Sequence, residues 1–236
     1  MSATLPISRD EARITPAIED YLKAIYQLRH EEPGQSTVTG QRIAQRLGVA
    51  APSVTNMIKR LSEPDLVDHE PYRGIELSAA GERIALEVVR HHRLLERYLV
   101  EALGYGWDEV HDEAERLEHH ISEALEARIA ASLGDPTVDP HGDPIPDLDG
   151  TIADVTELRL LDVAPGDAAV VRRVSVQDPE RLRYLERLGI RPGTAVRLVE
   201  ALPFDGPLRV LIGTDEQMIG RPLAAAIQVA PNDPGR

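Results

Sequence analysis

Between Asp135 and Gly150 the chain reads DPTVDPHGDPIPDLDG, and its four prolines forbid a continuous helix or a central strand there. The stretch is therefore a linker or an ordered strap. It divides the chain: helical periodicity dominates before it and short alternating strands after it. An α+β architecture follows, with a helical N-terminal part and a separate β domain.

Before the strap, Ile18, Leu22, Ile25, Tyr26 and Leu28 recur at helical spacing from Pro16 to His30, with Thr15 as N-cap and Pro16 at the first helical position. VTGQRIAQRLG and APSVTNMIKRLSEPD predict two short helices separated by a tight joint at Gly48. The second carries Ser53, Thr55 and Asn56 on its first turn, which is the pattern of a helix-turn-helix. LVDHEPYRGIELSAAG then predicts a small hairpin with Tyr72, Arg73 and Gly74 at its tip, completing a winged helix over residues 1–77.

Two helices are expected in residues 78–150: one from Ser78 to Gly104, and one from Trp107 to Gly134 with Leu117, Ile121, Leu125, Ile129 and Leu133 four apart. Their apolar content exceeds what a small winged helix can cover, so a homodimer is expected. In residues 151–236, AAVVRRVSV, TAVRLVEALP, LRVLIGT and AAAIQV read as strands and DPERLRYLERLG as a helix, giving a small β-barrel.

The chain has no cysteine, so any metal site must use oxygen and imidazole ligands, and disulfides and iron–sulfur clusters are excluded. No apolar run approaches the roughly 20 residues of a membrane span. The start, MSATLPISRDEARI, lacks a signal-peptide core, so a cytoplasmic location and no membrane partner are expected. A net charge of −14 argues against nucleic acid at first sight. Yet Ser36 to Ser62 carries Arg42, Arg46, Lys59 and Arg60 and no acid, a cationic island in an acidic chain.

On a continuous helix His111, Glu115, Glu118 and His119 fall on one face, and the preceding helix offers His92 and Glu96 at i and i+4. An antiparallel helix pair would bring these six side chains together. Oxygen and imidazole donors suit divalent manganese, iron, cobalt or zinc. The competing reading is a solvated charged face, and it is preferred for His91 and His120.

IEDYLKAIYQL, the winged helix, RHHRLLERYL, VHDEAERLEHHIS and DPHGDPIP together resemble the diphtheria toxin repressor family of metal-dependent transcriptional regulators, and are most similar to its three-domain manganese-sensing members. The resemblance spans nearly the whole chain. It implies that the C-terminal domain is SH3-like, that the central helices dimerise, and that Asp20, Glu115, Glu118 and His119 form a primary metal site. It implies an ancillary site of His92, Glu96 and His111, completed from the SH3-like domain by Asp178. Iron-sensing members carry Met and Cys where this chain has Asp20 and Glu115, which shifts the preference towards Mn(II), with Fe(II) the alternative and Co(II), Zn(II) or Cd(II) able to substitute. Two-domain manganese regulators carry a second carboxylate at the position of Lys23, and the second SH3-like ligand of iron sensors falls near Arg181. Neither cation can ligate.

Metal joining the first helix to the dimerisation helices would fix where the recognition helices point, converting ion occupancy into affinity for operator DNA. Pro52, Ser53, Thr55 and Asn56 are expected at bases and phosphates, Lys59, Arg60 and Arg42 at phosphates, and Arg73 at the wing. Ser, Thr and Asn in a first turn are also ordinary caps. Two other classes stand beside this reading: a metal-dependent hydrolase using the Glu and His cluster, and a winged-helix regulator of a small organic ligand. The 3% aromatic share gives the latter little material for a pocket, so no organic ligand is expected, and no enzyme activity.

Overall fold

The computed structural model describes residues 14–30, 38–70, 74–153 and 158–232, so Arg73 lies outside the described residues. These fall into two compact units. One holds the chain through His91 together with Pro146–Gly150, and the other holds His92–Ile145 together with the chain from Thr151 onward. No helix among the described residues is long and apolar enough to cross a membrane.

In the first unit α1 (Pro16–His30), α2 (Gly40–Leu47) and α3 (Ala51–Ser62) precede a hairpin of β1 (Val67–Glu70) and β2 (Gly74–Leu77). The helices bury Ile18, Leu22 and Ile25 from α1, Ile43 from α2, and Val54, Ile58 and Leu61 from α3. Thr39 starts α2 by accepting from the Arg42 amide, and Gly48 ends it at φ 64° with its N–H on the Ala44 carbonyl. Only Gly48–Ala50 separate α2 from α3, as a helix-turn-helix requires. β1 and β2 pair antiparallel with Val67 opposite Leu77, and Val38 bridges to Ile75.

α4 runs from Ala79 to Leu103, as its periodicity predicts. The helix expected across Trp107–Gly134 does not form as one piece. It divides into α5 (Val110–Leu117) and α6 (Glu123–Ser132), with Glu118–His120 in a turn between them. Ser122 is the physical cause, because its hydroxyl accepts from the Leu125 amide and starts a new helix. Apolar residues four apart continue across the break, so the periodicity alone hides it. Leu94, Leu95, Leu99, Val110, Ala114, Ile121, Ile129 and Ile145 form the helical core.

The C-terminal part contains β3 (Leu158–Arg159), a 3-10 turn, β4 (Ala168–Val174), α7 (Pro179–Arg187), β5 (Ala195–Ala201), β6 (Leu208–Ile212), β7 (Asp215–Ile219), α8 (Arg221–Ala225) and β8 (Ile227–Pro231). All pairings are antiparallel, in the order β3-β8-β4-β5-β6-β7. The expected strand AAAIQV is helical in its first part, where Pro222 near the helix start favours α8, and strand only from Ile227.

The proline-rich segment is an ordered strap. The Asp139 carboxylate accepts from the amides of His141 and Asp143, and the Ile145 amide donates to Thr137. The β4 ladder shifts register between Val171 and Arg173, and the strap docks beside it through the Val174 amide on the His141 carbonyl, 2.9 Å. Gly142 makes this approach possible: at φ 91° a Cβ would lie 2.0 Å from the Arg172 carbonyl oxygen. Gly142→Ala is therefore expected to cost about 1–3 kcal/mol, against about 1 kcal/mol for Gly134→Ala. Gly134 shares a positive φ but faces open space. Urea unfolding of the two variants checks the order; equal costs would show that strap docking is unimportant.

Candidate metal centre and nucleic-acid face

Within the second unit α4 presents His92 and Glu96 one turn apart, α5 presents His111 and Glu115, and the turn after α5 presents Glu118 and His119. The break after Leu117 thus places Glu118 and His119 by a turn and not by the helical stripe the spacing suggests. Glu118 is fully buried, and its carboxylate lies 2.6 Å from His92 Nδ1 and 3.5 Å from His119 Nε2. His92 Nε2 lies 3.0 Å from Glu96 Oε1 and 3.1 Å from His111 Nδ1. Glu115 is exposed and reaches His111 at 3.8 Å, so His92, His111 and Glu115 can offer ligand atoms within 4.8 Å of one another.

Glu96 belongs to a second group. Its other carboxylate oxygen lies 3.6 Å from His141 Nδ1, and Glu96, Asp139 and His141 again bring ligand atoms within 4.8 Å. All three are buried. Neither Asp139 nor His141 was among the sequence candidates. Their signal was available in DPHGD, a carboxylate and an imidazole two residues apart, but only strap docking brings that pair to α4. His141 Nε2 faces the Trp107 carbonyl at 2.7 Å, and Arg93 approaches Asp139 and Asp143 at 3.9 and 3.8 Å.

Asp178, expected as the ancillary ligand, lies elsewhere. It is exposed and caps α7, its carboxylate accepting from the Arg181 amide at 2.9 Å. Asp before Pro179 at a helix start is a strong capping pattern, and it accounts for this residue without a metal. Asp139 and His141 take the place beside Glu96. Asp20 lies half-buried on α1 in the first unit.

Burial opposes ionisation of Glu96, but the charge of His92 and hydrogen bonds from His111, His141 and His92 outweigh it and hold its carboxyl well below the usual range. Burial, reinforced by the charges of Asp143 and Glu96, pushes Asp139 up to about 8. Burial works against the cationic form of His141, yet hydrogen bonding to Glu96 and the charges of Glu96 and Asp139 raise it to about 9. Near neutral pH the group thus holds Glu96 as an anion and favours the cationic form of His141, with Asp139 shifted towards its neutral form. His92 meets a carboxylate at each ring nitrogen, so a proton must be supplied on both sides. Protons here occupy positions that a divalent cation would satisfy, and the nitrogen and oxygen donors fit manganese, iron or zinc.

The first unit presents the cationic island. Pro52, Ser53, Thr55, Asn56, Lys59 and Arg60 are all exposed on α3. No side chain caps the N-terminus of α3, so Ser53 and Asn56 are not consumed as its N-cap; Thr55 bonds back to the Ala51 carbonyl at 3.2 Å. Arg42 departs from its expected role as a free phosphate contact. It is half-buried, with one guanidinium nitrogen 3.5 Å from the Leu28 carbonyl, while Arg46 donates to Gln27 at 3.1 Å. Both arginines fold back towards α1.

Comparison with known proteins supplies the context for this arrangement. Residues 13–75 match the family described as iron dependent repressor, N-terminal DNA binding domain; residues 78–147 match iron dependent repressor, metal binding and dimerisation domain; residues 158–231 match the FeoA domain. The chain is 35% identical over 223 residues to the iron-dependent repressor IdeR of Mycobacterium leprae (strain TN), covering 89% of this chain and 95% of that one. It is 34% identical over 192 residues to the diphtheria toxin repressor of Corynebacterium diphtheriae, covering 77% and 84%. A solved structure of a manganese-dependent transcriptional repressor in complex with manganese matches with TM-score 0.83 and 42% identity over 91% of this chain and 99% of that one. The chain belongs to the diphtheria toxin repressor family of metal-dependent transcriptional repressors.

Proposed function

We propose that this protein is a Mn(II)-responsive homodimeric repressor that binds operator DNA when metal-loaded and controls genes of metal-ion homeostasis. The observation that carries the metal is the buried Glu118 carboxylate between His92 and His119, in a chain with no sulfur ligand from cysteine. Asp20, Glu115, Glu118 and His119 form the primary ligand set, with His92 and His111 beside them. Glu96, with Asp139 and His141 in place of Asp178, forms the ancillary set. A bound divalent ion supplies positive charge among these carboxylates, and Asp20 carries its effect to the DNA-binding unit. Exposed Leu103 and Leu125 on α4 and α6 support dimerisation through these helices. In the dimer, two α3 helices ~34 Å apart enter successive major grooves, with Ser53 and Asn56 at base edges and Lys59 and Arg60 on phosphates.

Fe(II) is the second reading, favoured by relatives named as iron-dependent. The all-oxygen-and-imidazole donor set favours manganese. A hydrolase built on the same cluster leaves the exposed cationic face of α3 without a role.

Two measurements test this function. Fluorescence polarisation of operator-like duplex DNA is expected to show tight binding only with Mn(II), and Glu118→Gln is expected to remove the metal dependence. Lys59→Ala should weaken binding across sequences and reduce the salt slope by about 1. Equal affinity with and without Mn(II) would sink the reading.

The second test is pH. Asp139 favours the metal-free fold while protonated, an effect lost as pH rises from its ordinary 3.8 through about 8. His141 contributes stability fully below 6.5, lost as pH rises through about 9. Glu96 acts oppositely, its contribution fading only as pH falls below the ordinary carboxylate range. Between pH 6 and 9 the Tm of the metal-free protein should therefore fall, while the increment in Tm given by Mn(II) grows as protons cease to compete. Differential scanning calorimetry checks this, and a Mn(II) increment independent of pH would contradict it.

A further inference from the structure

Trp107, the chain's one tryptophan, stands just before α5 in sequence, yet its side chain is 2% exposed within the core of the β domain, among Leu160, Val171, Leu182 and Ile190. Its ring stacks on His141, with centroids 5.6 Å apart and planes 21° from parallel. Its carbonyl faces His141 Nε2 at 2.7 Å, and the Arg191 guanidinium lies 5.2 Å from the indole centroid. The neighbouring Asp108 pairs with Arg183 of α7 at 2.9 Å. The β domain therefore grips this short segment through a buried ring, a stacked cation and an ion pair.

An imidazole has two nitrogens, and the Trp107 carbonyl commits one of them. Nε2 must carry a proton to donate there, which leaves Nδ1 as the nitrogen that faces Glu96. Packing alone does not explain an indole at this position. Trp107 Nε1 is buried with no hydrogen-bond partner among the described residues, a cost that an aliphatic side chain of similar bulk would avoid. What the indole adds is a flat face for His141 and a quadrupole for Arg191.

We infer that Trp107 is a positioning residue through which the β domain sets the ring orientation of His141 and holds its Nε2 proton, leaving Nδ1 towards Glu96. The C-terminal domain thereby tunes the Glu96, Asp139 and His141 group without donating a ligand of its own. The inference rests on the metal reading of that group given above, and it assigns the β domain a role distinct from the direct ligation expected of Asp178.

The test uses the full chain with Trp107→Phe, which keeps a stacking face, and Trp107→Leu, which keeps apolar bulk only. In the metal-free protein, imidazole ¹H–¹⁵N spectra report the His141 Nε2 proton, assigned by its loss in His141→Gln. Wild type and Trp107→Phe are expected to show this proton protected from exchange, and Trp107→Leu to lose the protection. Calorimetric titration with Mn(II) should show about 10–100-fold weaker binding in one class of site in Trp107→Leu, with the other class unchanged and affinity restored in Trp107→Phe. Should Trp107→Leu fail to fold, the wild-type spectrum and the Trp107→Phe titration decide: a rapidly exchanging Nε2 proton in the wild type overturns the inference. Unchanged Mn(II) affinity in a folded Trp107→Leu also overturns it. A wild type that takes up no Mn(II) overturns the metal reading itself.

Discussion

Three carboxylates, Glu96, Glu118 and Asp139, are buried between helices and strap, and the second unit is organised around holding them there. Charge in a low-dielectric interior is tolerated only when paired, neutralised by a proton or matched by a cation. All three devices occur. Imidazoles from α4, α5 and the strap pair with Glu96, burial and neighbouring anions favour the protonated form of Asp139, and Arg93 approaches Asp139 and Asp143 from α4. The surrounding apolar core of Leu94, Leu95, Val110 and Ala114 fixes the distances between these groups. A centre held by protons and imidazoles in this way is responsive to a divalent cation, because the ion competes for the same lone pairs.

The helix-turn-helix, the hairpin, α4 and the helix of the β domain were all legible, because each is written in local signals: Thr39 and Gly48 at the ends of α2, Asp178 and Pro179 at the start of α7. Six of the sequence-nominated ligands fall in one region of the second unit for the same reason, being set by neighbours one or two turns away. The break before α6 was hidden because Ile121, Leu125 and Ile129 keep the helical period through it. One hydroxyl, that of Ser122, overrides this pattern. Asp139 and His141 were illegible for a different reason: they reach Glu96 only because a distant strand, β4, shifts register to receive the strap, and a local reading of DPHGD contains no β4.

Asp178 marks the limit of carrying ligands across by spacing. The family resemblance reached a carboxylate of suitable type, but a carboxylate at a helix start has a competing occupation, and here the Arg181 amide takes it. The strap offers oxygen and nitrogen donors beside Glu96, and internal bonds fix its conformation. Its own carboxylate closes a turn on two backbone amides, and Gly142 admits the Arg172 carbonyl where no side chain would fit. Proline density, which first marked this segment as neither helix nor strand, also lowers the entropy of holding it in place.

A repressor that reports a metal ion needs its ligands to come from elements that would otherwise be free to move apart. In this chain the candidate donors come from a helix shared by both units, from a turn that interrupts a second helix, and from a strap seated on a β domain. Together they surround buried charges that must be paired, so ions bound in the two proposed ligand sets would each draw on more than one of these elements. On the inference drawn above, the C-terminal domain joins the sensor through Trp107, whose ring lies in the β-domain core and whose carbonyl holds the strap residue His141. Losing that hold would leave every carboxylate in place and still change the geometry that an ion meets.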